Sequence, residues 1–231
     1  MLTRLLLNEA PAPAVAAHLG AALAALPKPS GGVRPIAVGS VLRRLAAKAV
    51  CKAFSDELRA AAGPSQYTTG RAGGIEILFK ALSGLAEARP RAAFLKLDFT
   101  DAYNATERGP IQAAMGARLP RLSRVAATLL PTTTYHYWLG EGANAHVVRA
   151  ERGVDQGCPL SPALFAIALA PVLTSLQVGL RLLDPAAAVY SYLDDVYIVV
   201  DAPQAASALN LVETLTRPLG LQLNRASRGC T

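Results

Sequence analysis

With 231 residues, the chain has enough material for one large domain or two small ones sharing a core. Hydrophobic residues at 52% against 17% charged exclude a disordered tail, and three cysteines (Cys51, Cys158, Cys230) with no CxxC pair argue against a zinc site. The net charge of +7 suits a polyanionic partner, nucleic acid and an acidic membrane surface alike.

Residues 1–7 hold an apolar stretch too short for a secretory core, and with the cysteine usage a reducing intracellular setting, cytoplasm or nucleus, is expected. The Ala/Leu-rich stretch 12–26 reads as a helix, broken by the prolines and glycines of 27–32. A short strand at 33–38 precedes an amphipathic helix over 41–62, which Gly63-Pro64 ends. A second such helix covers 75–88, and alternation then marks a strand at 92–97 that delivers Asp98 at its end. Helices are predicted at 107–118 and 122–130, and two strands at 132–139 and 145–150 about a turn at 140–142. Residues 156–180 carry no charge and would pass a hydropathy test for a membrane span. Pro162 and Pro171 punctuate this stretch, and Ser161-Pro162 reads as an N-cap followed by proline at the first helical position, so a buried core helix is predicted. Runs at 189–192 and 196–200 form a hairpin with Asp194 and Asp195 at its tip, followed by a helix at 204–217 and a short strand at 221–223. Helices and strands interleave without regular βαβ alternation, which indicates the α+β class.

One aspartate at a strand end and an Asp-Asp pair in a hairpin turn can together hold two divalent ions for phosphoryl transfer. Adjacent like charges are costly, a reason to expect a cation beside them. On spacing alone, a solvated turn at Asp194-Asp195 and a helix cap at Asp98 account for the pattern equally well.

The surrounding residues separate these readings. Leu97-Asp98-Phe99-Thr100-Asp101-Ala102-Tyr103-Asn104 resembles the first palm motif of reverse transcriptases, LDxxxAFN or LDxxxAYN, particularly those of non-LTR (LINE-like) retrotransposons and group II introns. Residues 153–162, Gly-Val-Asp-Gln-Gly-Cys-Pro-Leu-Ser-Pro, resemble the family's GVxQGCPLSP, and Tyr192-Leu193-Asp194-Asp195 its YxDD box. Residues 220–224 resemble GLxLN, and Val33-Arg34-Pro35-Ile36 and Gly73-Gly74-Ile75-Glu76 resemble segments of the fingers. Each motif is weak alone; six in the family's order, over roughly 27–227, are a strong signal.

The resemblance implies an α+β right-hand polymerase, with a fingers-type segment over 1–90 and mainly palm over 91–231, an antiparallel sheet backed by helices with room for finger insertions. It implies RNA-directed DNA synthesis from dNTPs with an RNA template and a DNA primer; the sequence itself gives no expectation of a membrane and no evident protein partner. Asp98 and Asp194 would be the main ligands of two Mg²⁺ ions (Mn²⁺ fits the same oxygens), with Asp195 a weaker third and the Phe99 carbonyl completing one coordination sphere. Tyr103 would be the steric gate against a 2′-hydroxyl, and Gln156 and Gly157 would line the nucleotide pocket. Arg34 and Lys28 would reach the triphosphate. The series Arg43, Arg44, Lys48 and Lys52 reads equally as a template contact or as the solvated face of a helix. Tyr135, His136, Tyr137 and Trp138 read equally as a base-stacking run or a half-buried strand.

Two departures stand out. Asp155 occupies a position where the family often has a basic residue, and no lysine follows Asn224 as a proton donor to pyrophosphate. No thumb-like sequence follows either. The competing expectation is therefore a truncated, inactive remnant that binds nucleic acid or a partner, while a viral RNA-templated RNA polymerase fits Tyr103 and the 33–36 segment less well.

Overall fold

The computed structural model describes residues 18–28, 31–139, 145–224 and 229–230. The turn at 140–142, the first part of the helix predicted at 12–26 and the residues just after Asn224 lie outside them. The described chain opens with an antiparallel hairpin of β1 (Ala21–Pro27) and β2 (Val33–Gly39). Helices α1 (Val41–Ala53), α2 (Ser55–Ala62) and α3 (Gly74–Ala88) lead to β3 (Ala92–Leu97). A single-turn α4 (Ala102–Ala105) and the pair α5 (Arg108–Arg118) and α6 (Pro120–Leu129) follow. Then come β4 (Thr134–Leu139), β5 (Ala145–Ala150), the long α7 (Ser161–Leu183), the hairpin β6 (Ala188–Tyr192) and β7 (Asp195–Asp201), α8 (Ala205–Thr216) and β8 (Gly229–Cys230).

Two four-stranded sheets result. The first has the order β2-β1-β4-β5 and the second β6-β7-β3-β8. The first is assembled from distant parts of the chain, because β1 pairs in parallel with β4 through Ala21 and Ala22 opposite His136 and Tyr137. This pairing explains why the helix expected over 12–26 is a strand from Ala21 onward. Alanine's helix preference is a weak prior, and a central place between two strands outweighs it. The helix predicted over 41–62 is broken at Phe54, whose φ of −118° and ψ of 27° end α1 and start α2. The strand predicted at 221–223 is reduced to one bridge, Leu223 opposite Phe99, with Asn224 N–H donating to the Asp98 carbonyl at 2.9 Å.

Helix α7 is the centre of the core. It starts at Ser161 with Leu160 in the cap position and no side-chain cap, one residue earlier than the Ser161 cap expected. It is long and apolar enough to cross a membrane, yet 67% of its most apolar window is buried inside the fold. Phe165, Ile167 and Leu180 on it are fully buried, and α2, α5, α8 and β6 pack around it. A helix apolar on all sides is a core helix when other elements cover it.

Arg108, on α5, ties together the segments that flank β4 and β5. It is 4% exposed, and its guanidinium donates to the carbonyls of Gly153 (3.1 Å) and Pro131 (2.7 Å) and to the Thr134 hydroxyl (2.9 Å). On the far side, Arg89 donates to Asp184 at 2.7 Å, to Asp201 at 2.6 Å and to the Ala186 carbonyl at 2.8 Å. Arg108→Ala leaves buried carbonyls unsatisfied and is expected to cost at least about 3 kcal/mol, read as a lower urea midpoint at unchanged slope.

Candidate active site

Strand β3 lies between β7 and β8, with Leu97 opposite Val196 at the end of the ladder. Asp98 is therefore the first residue beyond the pairing, level with the tip of the β6–β7 hairpin. That hairpin closes at Tyr192 opposite Asp195, so Leu193 and Asp194 form a two-residue turn. Leu193 has a φ of 57°, the positive value that tight hairpin turns require at this position and that leucine rarely adopts.

A cleft of about 570 Å³ opens over these residues. Asp98 and Asp194 line it together with Phe99, Tyr103 and Gln156, while Lys28 and Arg34 reach it from the β1–β2 hairpin. Asp195 points away: its carboxylate lies 3.5 Å from Lys96 Nζ, and it does not line the cleft. Among the described residues, no three His, Cys, Asp or Glu side chains are grouped to hold a metal ion. The cleft thus offers three carboxylates, Asp98, Asp194 and the Lys28-paired Asp101, with Asp195 one residue beyond, and hard oxygens of this kind fit Mg²⁺ or Mn²⁺, which take few protein oxygens and keep several waters.

Burial pushes the Asp194 carboxyl above the usual carboxylate range, and the charges of Asp195 and Asp98 add to that push. A main-chain hydrogen bond and the Arg34 charge offset part of it. Such mutual repulsion is what a cation would relieve. Asp98 Oδ2 accepts from Asn224 Nδ2 at 3.1 Å, so the 220–224 segment orients this carboxylate.

Tyr103 stacks on Phe165 with ring centroids 5.0 Å apart and planes 11° from parallel. Burial, and then the Asp194 charge, raises its phenol well above the ordinary tyrosine value, so the hydroxyl stays protonated near neutral pH. The Tyr103 carbonyl accepts from Val154 N–H at 2.8 Å, and a Cβ on Gly153, at φ 72°, would meet the Tyr103 oxygen at 2.6 Å. Gly157 is equally constrained, since a Cβ there would meet the Ala37 carbonyl at 2.3 Å. The glycines of the 153–162 motif are thus what lets that loop nest against α4 and the edge of β2.

Arg43 does not belong with the exposed cations. Arg44, Lys48 and Lys52 are exposed on α1, but Arg43 is 3% exposed. Its Nη1 lies 2.9 Å from Asp155 Oδ2, and its guanidinium also donates to the carbonyls of Leu19 and Leu129, each at 3.0 Å. The template contact considered for Arg43 is therefore replaced by a structural role, because a buried guanidinium is held where its partners are. His136 is likewise buried, with Nε2 2.9 Å from Asp155 Oδ1, whereas Tyr135 and Tyr137 are exposed. Asp155 is thus the hub of a buried triad directly before Gln156. Asn224, Asp155 and the buried Gln66 are site-shaping residues that sequence reading did not assign. The GLxLN resemblance at 220–224 and the Asp155 departure gave hints of the first two, and nothing in the sequence marked Gln66.

Comparison with known proteins places this geometry. The chain has the fold of the Candida tropicalis telomerase structures: TM-score 0.71 at 11% identity over 93% of this chain and 44% of that one, and 0.70 over 50% of a form truncated from the C-terminal domain. Candida albicans telomerase in complex with a telomeric RNA fragment gives 0.68 at 11% identity, over 96% of this chain and 44% of that one. It is 28% identical over 208 residues to the retrotransposable element SLACS 132 kDa protein of Trypanosoma brucei gambiense. The match covers 87% of this chain and 17% of that protein. These likenesses define a polymerase-type α+β fold of fingers and palm. Residues 26–226 match the reverse transcriptase (RNA-dependent DNA polymerase) family model, and the chain belongs to that family.

The Asp155 carboxyl is buried, which alone would raise its pKa, but the His136 hydrogen bond and the Arg43 charge outweigh burial and hold it below the usual value. A depressed carboxylate contributes stability above its unfolded pKa of about 4 that is lost as pH falls through its folded value. Asp155→Asn is expected to cost about 3–5 kcal/mol at pH 7. The gap to wild type should narrow below about pH 4, read from urea midpoints at pH 7 and pH 3.

Proposed function

We propose that this chain is the fingers-and-palm catalytic part of a non-LTR-type RNA-directed DNA polymerase, adding dNTPs to a DNA primer on an RNA template. The observation that carries this reading is the convergence of Asp98 and Asp194 on one cleft whose opposite wall holds Lys28 and Arg34. Residues 1–90 would supply a fingers-type segment and 91–231 mainly palm, with β4 and β5 contributed to the first sheet.

Reverse transcriptases use divalent ions, and the ligands here would be Asp98, Asp194, the Phe99 carbonyl and, turned from Lys96, Asp195. Bound there, Mg²⁺ or Mn²⁺ would polarise the reacting phosphate and favour the ionised primer hydroxyl. The chain's own residues do the rest. Arg34 and Lys28 neutralise triphosphate charge, and the half-exposed Lys28–Asp101 pair at 3.1 Å is weak enough for a phosphate to replace. Tyr103, fixed by its stack on Phe165, is the wall beneath the sugar and favours dNTP over rNTP. Gln156 borders the base side, and Gly157, which does not line the cleft, lets the loop carrying Gln156 pack against Ala37. Arg44, Lys48 and Lys52 recur every four residues on the exposed face of α1 and would follow template phosphates. The free Cys51 and Cys158 suit a reducing intracellular setting, cytoplasm or nucleus.

Primer extension on poly(rA)/oligo(dT) with dTTP and Mg²⁺ or Mn²⁺ tests the reading. Incorporation that falls to background in the Asp194→Asn, Asp195→Asn double variant is expected; a folded wild type without incorporation moves the assignment to an inactive, nucleic-acid-binding remnant. Tyr103→Val should relax rejection of rNTPs by about tenfold or more in competition with dNTPs. Unchanged sugar selection in an active enzyme would overturn the gate.

A further inference from the structure

Behind the turn that carries Asp194 lies a side chain that belongs to no helix and has no charge. Gln66, in the connection between α2 and α3, is 1% exposed. Its main chain is locked to the hairpin as a short parallel bridge to Ser191. Ser191 N–H donates to the Ser65 carbonyl at 2.7 Å, and Tyr67 N–H donates to the Ser191 carbonyl at 2.9 Å. The side chain then reaches the turn itself. Gln66 Oε1 accepts from the Leu193 N–H at 2.9 Å and from the Thr68 hydroxyl at 2.8 Å. Gln66 Nε2 donates to Ser191 Oγ at 3.2 Å, and Ser191 Oγ donates to the Leu193 carbonyl at 2.8 Å. Both peptide groups of Leu193 are thereby tied to one amide and one hydroxyl.

We infer that Gln66 is a positioning residue for the cation site, holding Leu193 in its left-handed conformation so that Asp194 faces the cleft. The inference rests on reading Asp98 and Asp194 as cation ligands. Leucine gains nothing intrinsic from a φ of 57°, so the conformation persists because its surroundings impose it. Gln66 Oε1 is the acceptor of the Leu193 N–H, so turning that peptide breaks a buried hydrogen bond. Asp194 is the next residue along the chain, and a rotation of the Leu193 peptide would swing its carboxylate out of line with Asp98. Glutamine suits the role because one planar amide accepts from an N–H and donates to an oxygen at once, and does so without adding a charge beside carboxylates that already repel.

The test uses the full chain and Mn²⁺, whose binding is followed by loss of the free-ion EPR signal, beside steady-state dTTP incorporation. Gln66→Met keeps the volume and removes every side-chain hydrogen bond. Leu180→Ala, in the fully buried part of α7, serves as a variant of comparable melting temperature remote from the turn. Gln66→Met is expected to weaken Asp194-dependent Mn²⁺ binding about tenfold, the lower end of what groups orienting metal ligands contribute. It should lower kcat with little change in the dTTP KM, while Leu180→Ala leaves the Mn²⁺ midpoint in place. Adding Leu193→Gly to Gln66→Met should recover most of the lost Mn²⁺ affinity, because glycine takes positive φ without a brace. An unshifted midpoint in Gln66→Met, an equal shift in Leu180→Ala, no recovery with glycine, or a wild type with no Asp194-dependent Mn²⁺ binding would each overturn the inference. A wild type that binds Mn²⁺ through Asp194 yet incorporates no dTTP sinks the polymerase reading instead, and the Mn²⁺ curves alone then decide the role of Gln66.

Discussion

The register of β3 on β7 is the constraint on which the site depends. With Leu97 set opposite Val196, Leu95 and Leu97 point into the core and Lys96 points to solvent, and Asp98 is delivered beside the hairpin tip. A slip of one residue would bury Lys96 and expose both leucines, so the apolar face itself enforces the pairing. This enforcement is needed because the product of the pairing is unfavourable locally. It brings Asp98 near Asp194 and Asp195, and burial raises the cost further. The site is stable because the strands carrying it are fixed from behind by α7 and not because its own groups attract one another.

An alanine-rich chain faces a second difficulty, since alanine packs closely but fills little volume. Ala163, Ala166, Ala168 and Ala170 on α7 let neighbouring helices approach, and wider gaps are bridged by arginine. Arg43 spans from α1 to Asp155 and to two main-chain carbonyls, and Arg108 spans from α5 to the loops before β4 and after β5. Long guanidinium side chains thus connect segments that a larger apolar core would have joined by contact. Buried ionic groups of this sort add little net stability over apolar ones, but each has few acceptable partners, and so they fix which segment lies against which.

Much of this was legible in the sequence because it rests on local signals. Strand β3, the β6–β7 hairpin, α3 and the uncharged α7 follow from alternation, helical spacing and turn residues, and the motif order pointed to the aspartates. The failures share a cause: each was decided by contacts distant in sequence. Residues 21–26 favour helix locally and are a strand because β2 and β4 flank them. Arg43 sits in a row with Arg44, Lys48 and Lys52 and differs from them only because Asp155 and the Leu129 carbonyl, both far along the chain, receive it. Gln66 lies in a connection without periodicity, and nothing within ten residues reveals that its partner is the turn at Leu193. Glycine gave the opposite case. Gly153 and Gly157 were visible in a motif, and their reason is the close approach of the Tyr103 and Ala37 carbonyls.

The uneven attachment of the β1–β2 hairpin connects these features to function. At one end, β2 is pressed by Ala37 against Gly157, and Arg43, at the start of the helix that follows, is anchored to Asp155. At the other end, Lys28 and Arg34 line the cleft with Asp98 and Asp194, and Lys28 pairs with Asp101, the side chains being 31% and 57% exposed. Exposed pairs contribute little, whereas the buried end is costly to disturb. The hairpin is thus fixed by buried groups where it meets Gly157, next to Gln156, and by an exposed pair where Lys28 and Arg34 line the cleft. The cleft therefore sets two positive groups, carried by the hairpin, against Asp98 and Asp194, carried at the strand ends of the second sheet. The same buried triad that takes Arg43 out of the exposed row of α1 is what fixes the hairpin at that end.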